Sequence, residues 1–331
     1  MKKLIVFILV PLISIVLIVF WWKANIQPVS SDSSIKRLVI AKGTSAIQIG
    51  EQLNDNEIIR SPLAFKFYVQ LTGKSKRIQA GEFNLSSDLN LFEVVNQLLS
   101  GPSEVWITVP EGLRHEEVIE RFILGLEKQG EEQVLFRNSL LSLTKGSEGE
   151  LFPDTYLFPK TASASAVYNM LVSTFNKKLA TIIEDDIQDS TRSMSEVLVM
   201  ASLLERETVT SEERPIVAGI LYKRLDNEWP LQVDAAVQYA VASAECGSSP
   251  GNCDNWWPIL TRADLDINSS FNTYKYPGLP PTPIANPGTS SIDAAIYPED
   301  SPYWFYIHDE KGKIHYAETV EEHNRNIAKY L

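Results

Sequence analysis

Two carboxylates stand two residues apart in an apolar stretch, Ala201-Ser202-Leu203-Leu204-Glu205-Arg206-Glu207-Thr208. Val197, Met200, Ala201, Leu203 and Leu204 are spaced as one helix face, which predicts a helix over 195–208. Positions 205 and 207 are then about 200° apart around the axis and cannot share one cleft. On a helical wheel Glu207 falls about 60° from the apolar centre and Glu205 about 100°. Glu207 therefore continues the Met200/Leu203/Leu204 stripe at the C-terminal end of the helix, partly desolvated and near the negative end of the helix dipole. Both effects raise a carboxyl pKa, which a general acid working near neutral pH requires. Glu207 is the candidate acid and Glu205 the alternative. The competing reading for either is a solvated charge at a helix end.

Further polar groups follow. In Leu231-Gln232-Val233-Asp234 the polar and apolar residues alternate, and as a strand they would present Gln232 and Asp234 on one face, to sugar hydroxyls or to solvent. Asn272-Thr273-Tyr274-Lys275-Tyr276-Pro277-Gly278-Leu279-Pro280-Pro281 and Ile284-Ala285-Asn286-Pro287-Gly288 form an ordered loop, because proline fixes φ and glycine takes what proline forbids. Tyr274 offers a flat face and a hydroxyl, as a sugar site needs. Upstream lies Glu148-Gly149-Glu150-Leu151-Phe152-Pro153-Asp154-Thr155-Tyr156, where Asp154 is either a turn or capping residue or a support behind the site. Trp256-Trp257 is a sugar platform or packing under a loop. His308, His315 and His323 show no metal-ligand spacing, so no metal is expected, and no phosphate-binding glycine loop or other cofactor motif appears.

These five segments, in their order along the chain, closely resemble the endolytic murein transglycosylases, the MltG or YceG-like family, and the resemblance runs from the N-terminal apolar segment to the C-terminus. It implies internal cleavage of peptidoglycan glycan strands, with the second glutamate of the helix, Glu207, at the centre. It also implies substrate-binding or supporting roles for Glu148, Asp154, Gln232, Asp234, Tyr274 and Asn286, and partners among the penicillin-binding synthases. Where the family usually has a threonine two residues after the aspartate, this chain has Ala236. A hydrolytic muramidase would need a second carboxyl, for which Asp154 and Asp234 are available. In a lytic transglycosylase the muramyl C6-hydroxyl replaces water, so one glutamate can act as acid and then base. The residues alone leave those schemes open, together with a non-catalytic wall-binding scaffold.

Helices near 114–126, 131–142, 164–184, 195–208 and 212–226 position the site, before a loop-rich stretch over 229–289 and a hairpin, Tyr303–His308 with Ile314–Ala317, turned at Lys311-Gly312. Thr319 with Glu322 marks a last helix. Nearer the N-terminus, Leu38-Val39-Ile40 reads as a strand. Ser45 with Gln48 caps a helix, Pro62 opens another, Gly81–Leu85 is a strand and Leu91–Leu99 an amphipathic helix. Strand, two helices and strand resemble a LysM-like module, a glycan binder or a plain spacer. The expected fold class is α+β: an N-terminal transmembrane helix, a small LysM-like domain and a larger mixed catalytic domain. The expected divisions are 1–23 anchor, 24–35 Ser-rich linker, 36–103 and 104–331.

The anchor rests on Leu4–Trp22, nineteen uncharged residues that as a helix would reach about 28 Å, near the thickness of a bilayer's hydrocarbon core. Trp21-Trp22-Lys23 ends the run as an aromatic belt and basic stop, without the small-residue cleavage site of a signal peptide. Lys2 and Lys3 place the N-terminus in the cytoplasm and the rest beyond the inner, or plasma, membrane. A net charge of −12 with no basic cluster excludes nucleic acid. Cys246 and Cys253, in a Gly/Ser/Pro/Asn loop of an exported chain, are a disulfide candidate.

Overall fold

The computed structural model describes residues 2–183, 192–247, 251, 253 and 255–331, with side chains from residue 13 onward. It is a mixed α+β protein with antiparallel strand pairs and two compact units. The first comprises residues up to Ile107 together with Leu157–Thr161, the second Thr108–Tyr156 and Ala162–Leu331.

The first helix, α1 (Lys2–Asn25), contains the backbone of the run read as an anchor. The side chains of residues 4–12 lie outside the described residues, and among the described residues no helix is long and apolar enough to cross a membrane. The Ser-rich stretch after α1 is not a free linker. Leu91 N–H donates to Ile26 O (3.0 Å), Ser30 N–H to Ser87 O (3.1 Å) and Arg60 Nε to Pro28 O (2.9 Å). Polar composition permits a loose tether but does not impose one where backbone groups find partners.

Within this unit β1 (Lys36–Ile40) and β2 (Gly81–Leu85) pair antiparallel from Lys36↔Leu85 to Ile40↔Gly81. Between them lie α2 (Ala46–Asp55), opened by a reciprocal Ser45/Gln48 capping box, and α3 (Pro62–Leu71), with proline where the missing N–H costs nothing. Leu53, Ile58, Phe65, Val69 and, from α4 (Leu91–Leu99), Val94, Val95 and Leu98 are wholly buried. β3 (Glu104–Thr108) and β4 (Thr155–Pro159) complete a sheet of order β1-β2-β3-β4. β4 starts directly after Phe152-Pro153-Asp154, where Asp154 could be a turn or capping residue.

The second unit carries α5 (His115–Gly125), α6 (Gly130–Thr144), α7 (Ala164–Ile183), α8 (Met194–Glu207), α9 (Arg214–Asp226), α10 (Asp234–Cys246) and α11 (Thr289–Ile296). The hairpin β5 (Phe305–His308) and β6 (Ile314–Ala317) then leads to α12 (Val320–Tyr330), capped by Thr319. α8 is the central element, packed against α9, α10 and α11. Met200, Ala201, Leu203 and Leu204 are each 0% exposed. Ser193 and Glu196 cap its N-terminus reciprocally. The alternating Gln232–Asp234 segment is no strand, and the loop-rich stretch contains α10. Asp234 is the first residue of that helix, whose Ala-rich sequence favours helix over strand.

Cys246, the last residue of α10, is joined to Cys253 with 5.3 Å between Cα atoms. Protein denatured without reductant should show no alkylatable thiol. Reduction should cost less than the roughly 3 kcal/mol of a 15-residue loop, because the ring closed here is shorter. Two reactive thiols in freshly isolated, unreduced protein would contradict the bond.

Candidate active site

Glu207 ends α8 at the wall of a cavity of about 450 Å³ that is also lined by Arg224, Gln232, Asp234, Tyr274 and Tyr306. Its carboxylate accepts the Tyr306 hydroxyl at Oε2 (3.0 Å), and the backbone N–H of Ala235, in the first turn of α10, also donates to it. Burial deep among protein atoms pushes its pKa up to about 7. The Tyr306 hydrogen bond opposes that rise, the charge of Asp234 adds to it, and Ala235 N–H and Arg224 oppose it. A carboxyl poised there is protonated in an appreciable fraction of molecules at neutral pH and can both give and retake a proton.

Tyr274, Gln232, Asp234 and Arg224 supply more of the lining. Tyr274 Oη donates to Asp234 Oδ1 (2.6 Å), and burial followed by the Asp234 hydrogen bond keeps that phenol protonated. Gln232 adopts a left-handed conformation (φ 56°), uncommon for a residue with a side chain. Thr273 holds it there: Gln232 N–H donates to Thr273 O (3.1 Å) and Val233 N–H to Thr273 Oγ1 (2.9 Å). Gln232 and Asp234 remain exposed while Leu231 and Val233 are fully buried. The polar and apolar alternation is thus used by a turn entering a helix. Arg224, buried in α9, spends Nε on Trp304 O (2.9 Å) and Nη1 on Leu231 O (2.7 Å), tying the hairpin and the 231 turn to one helix.

Four other candidates lie away from this cavity. Asn286, 0% exposed, accepts Gly149 N–H (3.0 Å) and Leu151 N–H (2.8 Å) at Oδ1 and donates to Glu148 Oε1 (2.8 Å) and Leu113 O (2.9 Å). Gly149 has φ 92°, and a Cβ there would meet the Pro283 ring at 2.8 Å. Glu148 also accepts His115 N–H (3.0 Å) and bonds His115 Nδ1 (2.6 Å). Asn286 and Glu148 therefore stitch loops together within the fold and present nothing to the cavity. Asp154 is exposed, accepting its neighbour's N–H, with Lys178 at 3.9 Å.

Glu205 is neither solvated nor in the cavity. Its side chain is 6% exposed and accepts Gly288 N–H (2.9 Å), Ser291 Oγ (2.8 Å) and Arg214 Nη2 (3.1 Å), which fastens α8 to α9 and α11.

Trp256 is buried and Trp257 half-buried. The Arg114 guanidinium lies over Trp256 and that of Arg206 over Trp257, whose Nε1 donates to Glu117 (3.0 Å). Among the described residues one group, His115, Glu116 and Glu148, brings metal-ligand atom types within 4.8 Å of one another. Its atoms are spent on each other, on Asn286 and on Arg114, whose Nε reaches Glu116 at 3.1 Å, so it is a neutralised polar cluster.

The profile of the YceG-like family matches residues 38–329, nearly the whole chain. The chain belongs to the YceG-like family. Its relatives include a Bacillus subtilis protein named endolytic murein transglycosylase, 30% identical over 93% of this chain and 89% of that one. A Streptococcus pneumoniae protein of the same name is 25% identical over 91% of this chain and 60% of its own length. The crystal structure of a yceG-like protein from Listeria monocytogenes, 29% identical, superposes with a TM-score of 0.56 over 88% of this chain and 99% of that one.

Three features of this site escaped the sequence reading. Arg224 looks like an ordinary charge in an amphipathic helix. Tyr306 lies in a strand, where an aromatic is expected for β-propensity alone. The Ala235 N–H becomes visible only once α10 is known to start at Asp234.

Proposed function

We propose that the protein is an endolytic peptidoglycan lytic transglycosylase that cleaves the MurNAc–GlcNAc β-1,4 bond within nascent glycan strands. The observation that carries this is Glu207, a half-buried residue whose carboxyl, crowded by protein atoms, has a pKa of about 7 in a cavity walled by Gln232, Asp234 and Tyr274. Glu207 gives its proton to the GlcNAc O4 as the bond to MurNAc C1 breaks. The carboxylate so formed takes the proton of the muramyl C6-hydroxyl as that oxygen closes on C1, leaving a 1,6-anhydroMurNAc end. No water is consumed and Glu207 regains its starting state. The names of the Bacillus and Streptococcus relatives support this reading.

One observation favours a second reading. Asp234 places another carboxyl in the same cavity, as a hydrolytic muramidase would need. Incubating the protein with purified glycan strands and weighing the products separates the two. Transglycosylation leaves anhydro ends, each lighter by one water than the reducing ends that hydrolysis leaves. Reducing ends alone would overturn the proposal in favour of the muramidase, and intact strands would leave the scaffold role.

The proposal extends to the setting of the enzyme. Leu4–Trp22 anchors it in the plasma membrane with the N-terminus cytoplasmic, so the mature chain keeps Met1 to Trp22 and resists alkaline extraction. The βααβ arrangement of the first unit supports a LysM-like glycan-binding role. Penicillin-binding synthases are the proposed neighbours, which would supply nascent strands.

A further inference from the structure

Tyr306 supplies a side-chain hydrogen bond to Glu207, and it comes from an element unrelated in sequence to α8. The two residues are 99 positions apart. The hairpin that carries Tyr306 is firmly placed. Tyr306 pairs with Tyr316 across it, Trp304 O accepts Arg224 Nε, and Phe305 stacks on His323 of α12 with ring centroids 5.0 Å apart. Burial first, and then the neighbouring Glu207 charge, keep the Tyr306 phenol far from ionising. Protonated, it donates to the Glu207 carboxylate, and that contribution favours the ionised form of the carboxyl it touches.

We infer that Tyr306 is a positioning residue that orients the Glu207 carboxyl from the hairpin side and sets the pH range over which Glu207 holds its proton. The inference rests on the proposed role of Glu207 only where it concerns rate; the hydrogen bond itself can be read without catalysis. The other groups facing Glu207 are the Asp234 carboxylate and Ala235 N–H from α10, Arg224 from α9 and Tyr274 from the long loop. His308 from β5 and His323 from α12 line the same cavity. Asp234 pushes toward protonation and Arg224 toward ionisation, so the neutral phenol acts between opposed charges without adding one.

The sign is fixed by this geometry. Removing a donor to the carboxylate destabilises the ionised form, so Tyr306→Phe raises the pKa of Glu207. A hydrogen bond to a charged group is worth enough to expect about one pH unit. Two readouts test it. Carbon-13 NMR titration of the Glu207 carboxyl follows its ionisation directly, in the wild-type and in Tyr306→Phe. The pH profile of kcat/KM for glycan cleavage should move its alkaline limb upward by the same amount, with the rate at pH 6 changed less than about tenfold. A second variant with 3-fluorotyrosine at 306, a stronger donor of nearly the same size, should move both readouts the other way and does not depend on Tyr306→Phe folding well.

An unmoved NMR midpoint in either folded variant overturns the inference. So does a uniform loss of rate with both midpoints unchanged, which is what a packing role produces. If the NMR midpoint moves and the kinetic limb does not, Tyr306 sets the ionisation of Glu207 as inferred, and it is the assignment of Glu207 as the acid that falls.

Discussion

Glu207→Gln is expected to lower cleavage of purified glycan strands by at least about 10²-fold, the lower end for loss of a general acid–base group. Glutamine keeps the length of the side chain and an oxygen to accept Tyr306 Oη and Ala235 N–H, so the cavity should keep its shape. What disappears is the proton. The partner experiment is Glu205→Gln, which should keep most of the activity per folded molecule, because Glu205 is turned toward Gly288, Ser291 and Arg214 and away from the cavity. Product formation per mole of folded protein is the measurement. If the loss follows Glu205 and Glu207→Gln stays active, Glu205 is the acid. If both variants cut normally, Asp234 becomes the candidate and the single-glutamate mechanism fails.

The same two glutamates should have opposite effects on stability. Glu205→Ala strips a buried Arg214 of its partner and leaves Gly288 N–H and Ser291 Oγ without their acceptor. Breaking a buried pair in this way costs about 3–5 kcal/mol. Glu207 behaves in reverse, because its folded-state pKa of about 7 lies above the ordinary 4.5. A carboxyl whose pKa is raised by folding favours the folded state fully below pH 4.5 and loses that contribution as pH rises through 7. Glu207→Gln should therefore leave stability nearly unchanged at pH 4 and raise it by up to about 3 kcal/mol at pH 8. Urea unfolding of both variants at pH 4, 6 and 8 checks the pair of signs. A Glu207→Gln effect that is flat with pH would mean that the carboxyl is not desolvated in the native protein.

Much of the local structure was legible in the sequence, because its signals act over three or four residues. The capping signals at Ser45/Gln48 and Thr319/Glu322 are short-range hydrogen-bond patterns, and each starts a helix where it occurs. The turn at Lys311-Gly312 follows from glycine's freedom at φ 77°. The start of α10 and the strand β4 were not legible. Alternation from Leu231 to Asp234 fits a strand as well as a turn feeding a helix, and only Thr273, some forty residues on, decides for the turn. Thr155–Pro159 becomes a strand because β3 offers it a partner, a condition no local propensity contains.

The family and the α+β class follow from motifs and their order along the chain, and the helix face on which Glu207 lies follows from a 3.6-residue period within one segment. Tertiary structure alone decided what each polar residue does. Glu205 and Glu207 are near neighbours in the chain, yet one is fastened by three donors from α9 and the start of α11 while the other faces Tyr306, Asp234 and the start of α10. Asn286 and Glu148, which lie in two of the segments that carry the resemblance, became internal fastenings of loops. A carboxyl's role is set by desolvation and by the donors and charges within a few ångströms, and in this fold those come from residues up to about a hundred positions away.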